Sequence, residues 1–112
     1  MTQFKLMVDR TLDDGRFVVI NDSREDAPVG TTFVEITVWA SARIEGEFET
    51  EQIGSATAVA LRLESVEFWR RLVDAVPFGH NAAVQLSGAG LKELRDQLAR
   101  IPKGQYIFLS SE

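Results

Sequence analysis

The chain has 112 residues, 45% of them hydrophobic and 26% charged, with a net charge of −5 and no cysteine. That is the balance of a soluble globular protein with enough chain for one hydrophobic core, read as a single domain over 1–112. A disulfide frame, a thiolate nucleophile and a cysteine metal site are excluded, and no apolar run approaches the ~20 residues needed to span a bilayer.

In chain order, "FKLMV" (4–8) is β-compatible, and "DDGR" (13–16) carries the Asp-Gly chemistry of a tight turn. "RFVVIN" (16–21) suits a buried strand, and "DSREDAPVG" (22–30) reads as a loop punctuated by Pro28 and Gly30. "TTFVEITVWASARI" (31–44), rich in β-branched and aromatic residues, predicts a strand in which Phe33, Glu35, Thr37 and Trp39 alternate with Val34, Ile36 and Val38. After a bend or bulge at Gly46, "SATAVALRLESV" (55–66) predicts another strand with Val59, Leu61 and Leu63 on one side.

The pattern then changes. Apolar residues at 68, 69, 72, 73 and 76 predict a short helical turn over about 67–75, ending at Pro77. "PFGHN" (77–81) is a turn with Gly79 at positive φ, and "AAVQLSG" (82–88) is a strand. "AGLKELRDQLARIPKG" gives an amphipathic helix over about 89–101: Leu91, Leu94, Leu98 and Ile101 share one face, while Lys92, Glu93, Arg95 and Asp96 face water. "QYIFLSS" (105–111) is the last strand. Six short strands with little helix argue for a mainly all-β protein, a barrel or a sandwich.

The run "VEFWRRLVDAVPFGHNAAVQLSGAGLKEL" resembles the second, β-barrel domain of translation GTPases of the elongation factor Tu type. "VEFWRRLVD", "FGHN" and "VQLSG" match that family's successive elements in order, and "GRFVVI", "VGTTFVEI" and "PKGQYIFLS" resemble its first hairpin and closing strand. The resemblance covers about residues 4–36 and 57–108, and implies a closed six-stranded antiparallel Greek-key barrel. It implies no GTP hydrolysis: that site belongs to a separate domain with a P-loop, and this chain has no GxxxxGKS/T. In that family the barrel helps to hold the aminoacylated end of tRNA. Here Ser87 stands for the family's basic residue and His80 for its acidic one. The segment 37–56 is longer than the family's connection, and the helix 89–101 replaces a brief turn.

That longer segment holds "EGEFETEQ", which sets Glu45, Glu47, Glu49 and Glu51 at every second position. On a strand they form one row, spaced by about 6.6–7 Å. Carboxylates so spaced diverge and do not converge on a cation, so no metal site is expected. The row is either a charged edge that deters aggregation or a docking face for a basic protein. Residues 1–55 hold five Lys/Arg against eleven Asp/Glu, which counts against nucleic acid as the main partner.

His80, the one histidine, sits in a turn beside Gly79 and Asn81, with no cysteine and no G-x-S-x-G elbow in the chain. No catalytic residue, cofactor or enzymatic activity is expected. Trp39, Phe68 and Trp69 read first as core, although one of the neighbours Phe68 and Trp69 stays partly exposed. Trp69 flanked by Arg70 and Arg71 is the second candidate docking site.

Two functions are expected from this reading. The first is a non-catalytic protein-interaction module, such as a regulator or a toxin-neutralising immunity-type protein, binding a basic partner. The second is a translation-linked accessory contacting tRNA, ribosome or a translation factor through Arg62, Arg70, Arg71, Lys92 or Arg95. The N-terminus "MTQFKLMVDR" lacks the apolar stretch of a signal peptide, so a cytoplasmic location is expected.

Overall fold

The computed structural model describes residues 3–44 and 47–112, with the side chains of 42–49 outside that description. Its elements are β1 (Lys5–Thr11), β2 (Phe17–Asn21), β3 (Ala27–Pro28), β4 (Thr32–Ile44), β5 (Glu47–Phe68), β6 (Arg71–Val73), β7 (Ala75–Val76), β8 (Asn81–Ala89), α1 (Leu91–Arg100) and β9 (Gln105–Ser111). The chain is mostly β. Six strands pair antiparallel in the order β4-β9-β1-β2-β8-β5, and β5 returns to β4, so the pairing forms a ring.

Alternation fills the inside of that ring. Leu6 and Val8 of β1, Phe17 and Val19 of β2, Leu61 and Leu63 of β5, Val84 and Leu86 of β8, and Ile107 and Leu109 of β9 are all buried. β4 departs from strict alternation, because both Phe33 and Ile36 are buried although three positions apart. The register explains it: Phe33 pairs with Ser111 but Glu35 with Ser110, so β4 carries an extra residue that turns both side chains inward. α1 lays Leu94 into the core, with Leu91, Leu98 and Ile101 packed against it, the face expected from the sequence. Arg95 does not face water as expected. Its guanidinium lies 4.7 Å from the centre of the Phe17 ring and donates to the Gly15 carbonyl at 2.9 Å.

The β1–β2 turn is the Asp-Gly turn expected, with Gly15 at φ 91. The Arg16 backbone N–H donates to Asp14 Oδ1 at 3.1 Å and the Arg16 guanidinium to Oδ2 at 2.8 Å. Those bonds, the backbone one first, hold the Asp14 carboxyl below its usual range. A depressed folded-state pKa means the turn's contribution is present above the unfolded value and is lost as pH falls through the folded one. Asp14→Asn is therefore expected to flatten the acid limb of the stability curve, read by urea unfolding between pH 2 and 5.

The short helical turn over 67–75 is a correction. The chain stays in β5 to Phe68, reverses at Trp69–Arg70 and returns as β6 and β7. Val66 pairs with Val84 of β8 on one side and with Val73 of β6 on the other. A helix cannot make these two ladders at once, and short apolar runs fit either period. The second correction is the extent of β5. Expected over 55–66, it runs unbroken from Glu47 to Phe68, so the glutamate segment belongs to the same strand and to a long β4–β5 hairpin.

Candidate functional site

The β5–β6 hairpin closes with two residues between the paired Phe68 and Arg71. Trp69 has φ 53 and Arg70 φ 62. Positive φ at both central positions is a type I′ turn, which normally takes Asn-Gly. A non-glycine residue held left-handed costs about 1–2 kcal/mol. Burial does not offset that cost, because Trp69 is 82% exposed, the most exposed large apolar residue among those described; Leu72, three residues on, is 78% exposed.

Beneath the tip, the half-buried Phe68 ring meets Trp69 edge-on at 6.0 Å between centres and His80 at 5.6 Å. A groove of about 340 Å³ opens beside them, lined by Arg10, Val18, Phe68, Trp69, Arg70 and Asn81 among others. Arg10 pairs with Asp9 at 2.5 Å. Glu67, on the same wall, faces Arg16 at 3.5 Å. Among the described residues Arg70 and Arg71 have no ion-pair partner. The tip thus presents one large aromatic ring, an exposed leucine and two uncommitted guanidinium groups.

The neighbouring 77–80 turn displays Phe78, 59% exposed, on a well-tied backbone. The Phe78 N–H donates to Asp26 Oδ1 at 2.9 Å and the Gly79 N–H to the Asn21 carbonyl at 3.0 Å. Asn21 is buried, and its amide donates to the carbonyls of Val76 at 2.9 Å and Glu25 at 3.0 Å while its Oδ1 accepts from the Ser23 N–H at 2.9 Å. Asn21→Leu leaves these carbonyls and that N–H without their partner, so a loss of about 2–3 kcal/mol is expected in urea unfolding.

The structure separates the residues that the sequence proposed for binding. Trp69 and Arg70 form the tip and Arg71 begins β6, all three exposed. At the other end of β5, Glu47, Glu49 and Glu51 take alternate positions opposite Ile44, Ala42 and Ala40. Glu51 is exposed, the side chains of Glu47 and Glu49 are outside the description, and Glu45 lies outside the described residues. Leu72, Phe78 and Arg10 were missed. Trp39 is not a core residue: it lies half-buried on the outer face, its Nε1–H donating to Thr37 Oγ1 at 3.0 Å. A second hollow of about 380 Å³ there is bordered by Trp39, Tyr106 and Phe108. Lys5 already covers two of those rings, its Nζ being 4.4 Å from the Phe108 centre and 4.9 Å from that of Trp39.

Family models, curated proteins and solved structures give no match to this chain.

His80 is exposed in the 77–80 turn, as expected, with its ring against Phe68. Among the described residues no three His, Asp or Glu side chains stand where they could hold a metal ion, and no helix is long and apolar enough to cross a membrane.

Proposed function

We propose that this protein is a non-catalytic interaction module that docks a partner protein through the Trp69–Arg70 hairpin tip. The observation that carries the reading is a tryptophan left almost wholly in water on a turn that strains two residues to hold it there. The pairing of Phe68 with Arg71 sets the turn, but it does not call for a tryptophan at its tip, and strained positions filled by residues the turn does not favour are a mark of functional sites. Tryptophan and arginine are also the side chains that most often dominate binding energy at interfaces. Arg70 and Arg71, without an ion-pair partner among the described residues, select a partner whose apolar socket is rimmed by carboxylates. The tip therefore favours an acidic rim, whereas the basic partner expected from the sequence attaches to the glutamate row at the far end of β5.

The ring of six antiparallel strands supports reading the fold as a closed barrel of the translation-factor second-domain kind, and this also remains a proposal. A translation-linked role would use the same tip differently, with a base stacked on Trp69 and phosphates on the arginines; the net charge of −5 weighs against it.

A photo-crosslinking side chain at Leu72 tests the reading in lysate of the source organism. The expected result is a covalent adduct with one protein, absent when the crosslinker stands at the exposed Lys103 and absent when Trp69 is changed to Ala. Adducts with RNA, or none that depend on Trp69, would overturn it.

A further inference from the structure

The β4–β5 hairpin extends past the ring as an arm. β9 covers the outer edge of β4 only to Ala40, and β8 covers the outer edge of β5 only from Ala60 onward. Between Glu47 and Ile53, β5 is paired with β4 on one edge, and among the described residues nothing pairs with its backbone on the other. Every residue from 50 to 56 is exposed. Past Gly54, at φ 68, the register slips: Ile36 and Val38 of β4 face Thr57 and Ile53 of β5. Further on, the edge is approached by α1, where Gln97 donates to Thr57 Oγ1 at 3.3 Å.

The open edge is thus a straight run of about seven residues, or roughly 23 Å, as long as an ordinary strand. Two strands standing alone are marginal in water, and a third strand is what stabilises such a pair. We propose that this edge accepts an extended, lysine- or arginine-rich segment of a partner protein as an added β-strand.

Charge decides the occupant. Glu47, Glu49 and Glu51 hold alternate positions of the edge strand, and the same segment offers no lysine or arginine among residues 44–61. A partner strand with a basic residue at every second position sets opposite charges side by side across the new ladder. A second copy of this chain, paired so that its glutamates meet these, sets like charges opposite one another and is disfavoured. The site lies at the other end of β5 from Trp69, so it stands or falls independently of the hairpin tip.

The test uses the heptapeptide Lys-Thr-Lys-Thr-Lys-Thr-Lys and two versions of it, N-methylated at every lysine or at every threonine. Both keep the charge, and each removes the backbone donors along one edge. Titration calorimetry on the whole protein is expected to show binding of the parent peptide. At least one methylated version should bind roughly tenfold weaker or worse, as loss of several backbone hydrogen bonds requires. Glu-Thr-Glu-Thr-Glu-Thr-Glu should not bind, and Glu47→Lys with Glu49→Lys and Glu51→Lys should reverse the preference between the acidic and basic peptides. Equal binding of parent and both methylated peptides would reduce the effect to charge alone and overturn the proposal. So would no binding of the parent peptide to the folded wild type, or a dimer in sedimentation that the triple variant abolishes. The methylated-peptide comparison needs only the wild-type protein, so it remains decisive if the variant fails to fold.

Discussion

Changing Trp69 to Asn together with Arg70 to Gly is expected to make the protein more stable and to abolish docking at the tip. Asn-Gly is the pair that a type I′ turn prefers, and it relieves two left-handed non-glycine residues at φ 53 and 62. Each costs about 1–2 kcal/mol where it stands. Part of that is regained by the unfolded chain, because glycine adds freedom there. A net gain of about 1–2 kcal/mol remains, or roughly 4–10 °C in melting temperature for a chain of this size. Trp69 covers little of the core, so its loss removes little packing to set against the gain. The partner, by contrast, loses its aromatic anchor, and a hot-spot truncation weakens binding by at least about 2 kcal/mol, some thirtyfold. Scanning calorimetry and the Leu72 crosslink read the two effects separately. A lower melting temperature would mean that the tip serves the fold, and the proposed function would lose its main support.

Gly88→Ala is expected to be the most damaging single methyl group that can be added to the sheet. Gly88 sits at φ 120, opposite Leu61, where a Cβ would come 2.1 Å from the carbonyl oxygen of Ala60. That atom is backbone, held in the β5–β8 ladder, and has nowhere to go without breaking the pairing. About 3–5 kcal/mol should be lost, a third or more of the stability of a typical domain. Gly104→Ala is the control: φ is 90, but the added methyl meets nothing within 4 Å. It should cost only the conformational strain, on the order of 1 kcal/mol. Urea unfolding of both variants compares them, and similar losses would show that steric approach at Ala60 is not the cause.

The six ring strands were legible from β-branched and apolar runs, alternating clearly over 31–44 and 55–66 and less so over 4–8 and 16–21, and from turns that carry glycine, proline or aspartate. Asp13-Asp14-Gly15 and Pro77-Phe78-Gly79 marked reversals that the structure contains. α1 was legible for the same kind of reason, from Leu91, Leu94, Leu98 and Ile101 at helical spacing. The hairpin tip was not. Phe68-Trp69-Arg70-Arg71 holds no glycine or asparagine, so its turn is made by pairing on either side and leaves no local signal. What could have found it is Val66 and Val73, equidistant from Trp69–Arg70 and able to face each other across a two-residue loop. Trp69, Arg70 and Arg71 were singled out by residue type alone. Leu72 went unnoticed because helical spacing had already assigned it to a buried face. The glutamate row was correctly placed on a strand from Glu47 to Glu51, but its open edge was invisible: which edges a ring leaves unpaired depends on where β8 and β9 stop.

The pairing of β1 with β9 sets the tempo at which the protein can form. Lys5 lies beside Ser110 and Leu6 beside Leu109, so the seam that completes the ring joins stretches about a hundred residues apart. Bringing such distant stretches together is the entropically expensive part of folding, and chains that depend on it fold in milliseconds to seconds. On the ribosome, β1 waits for its second neighbour through the synthesis of everything between them. The half of the chain that does the waiting carries eleven acidic residues against five basic ones, and a net charge of one sign disfavours association between like chains.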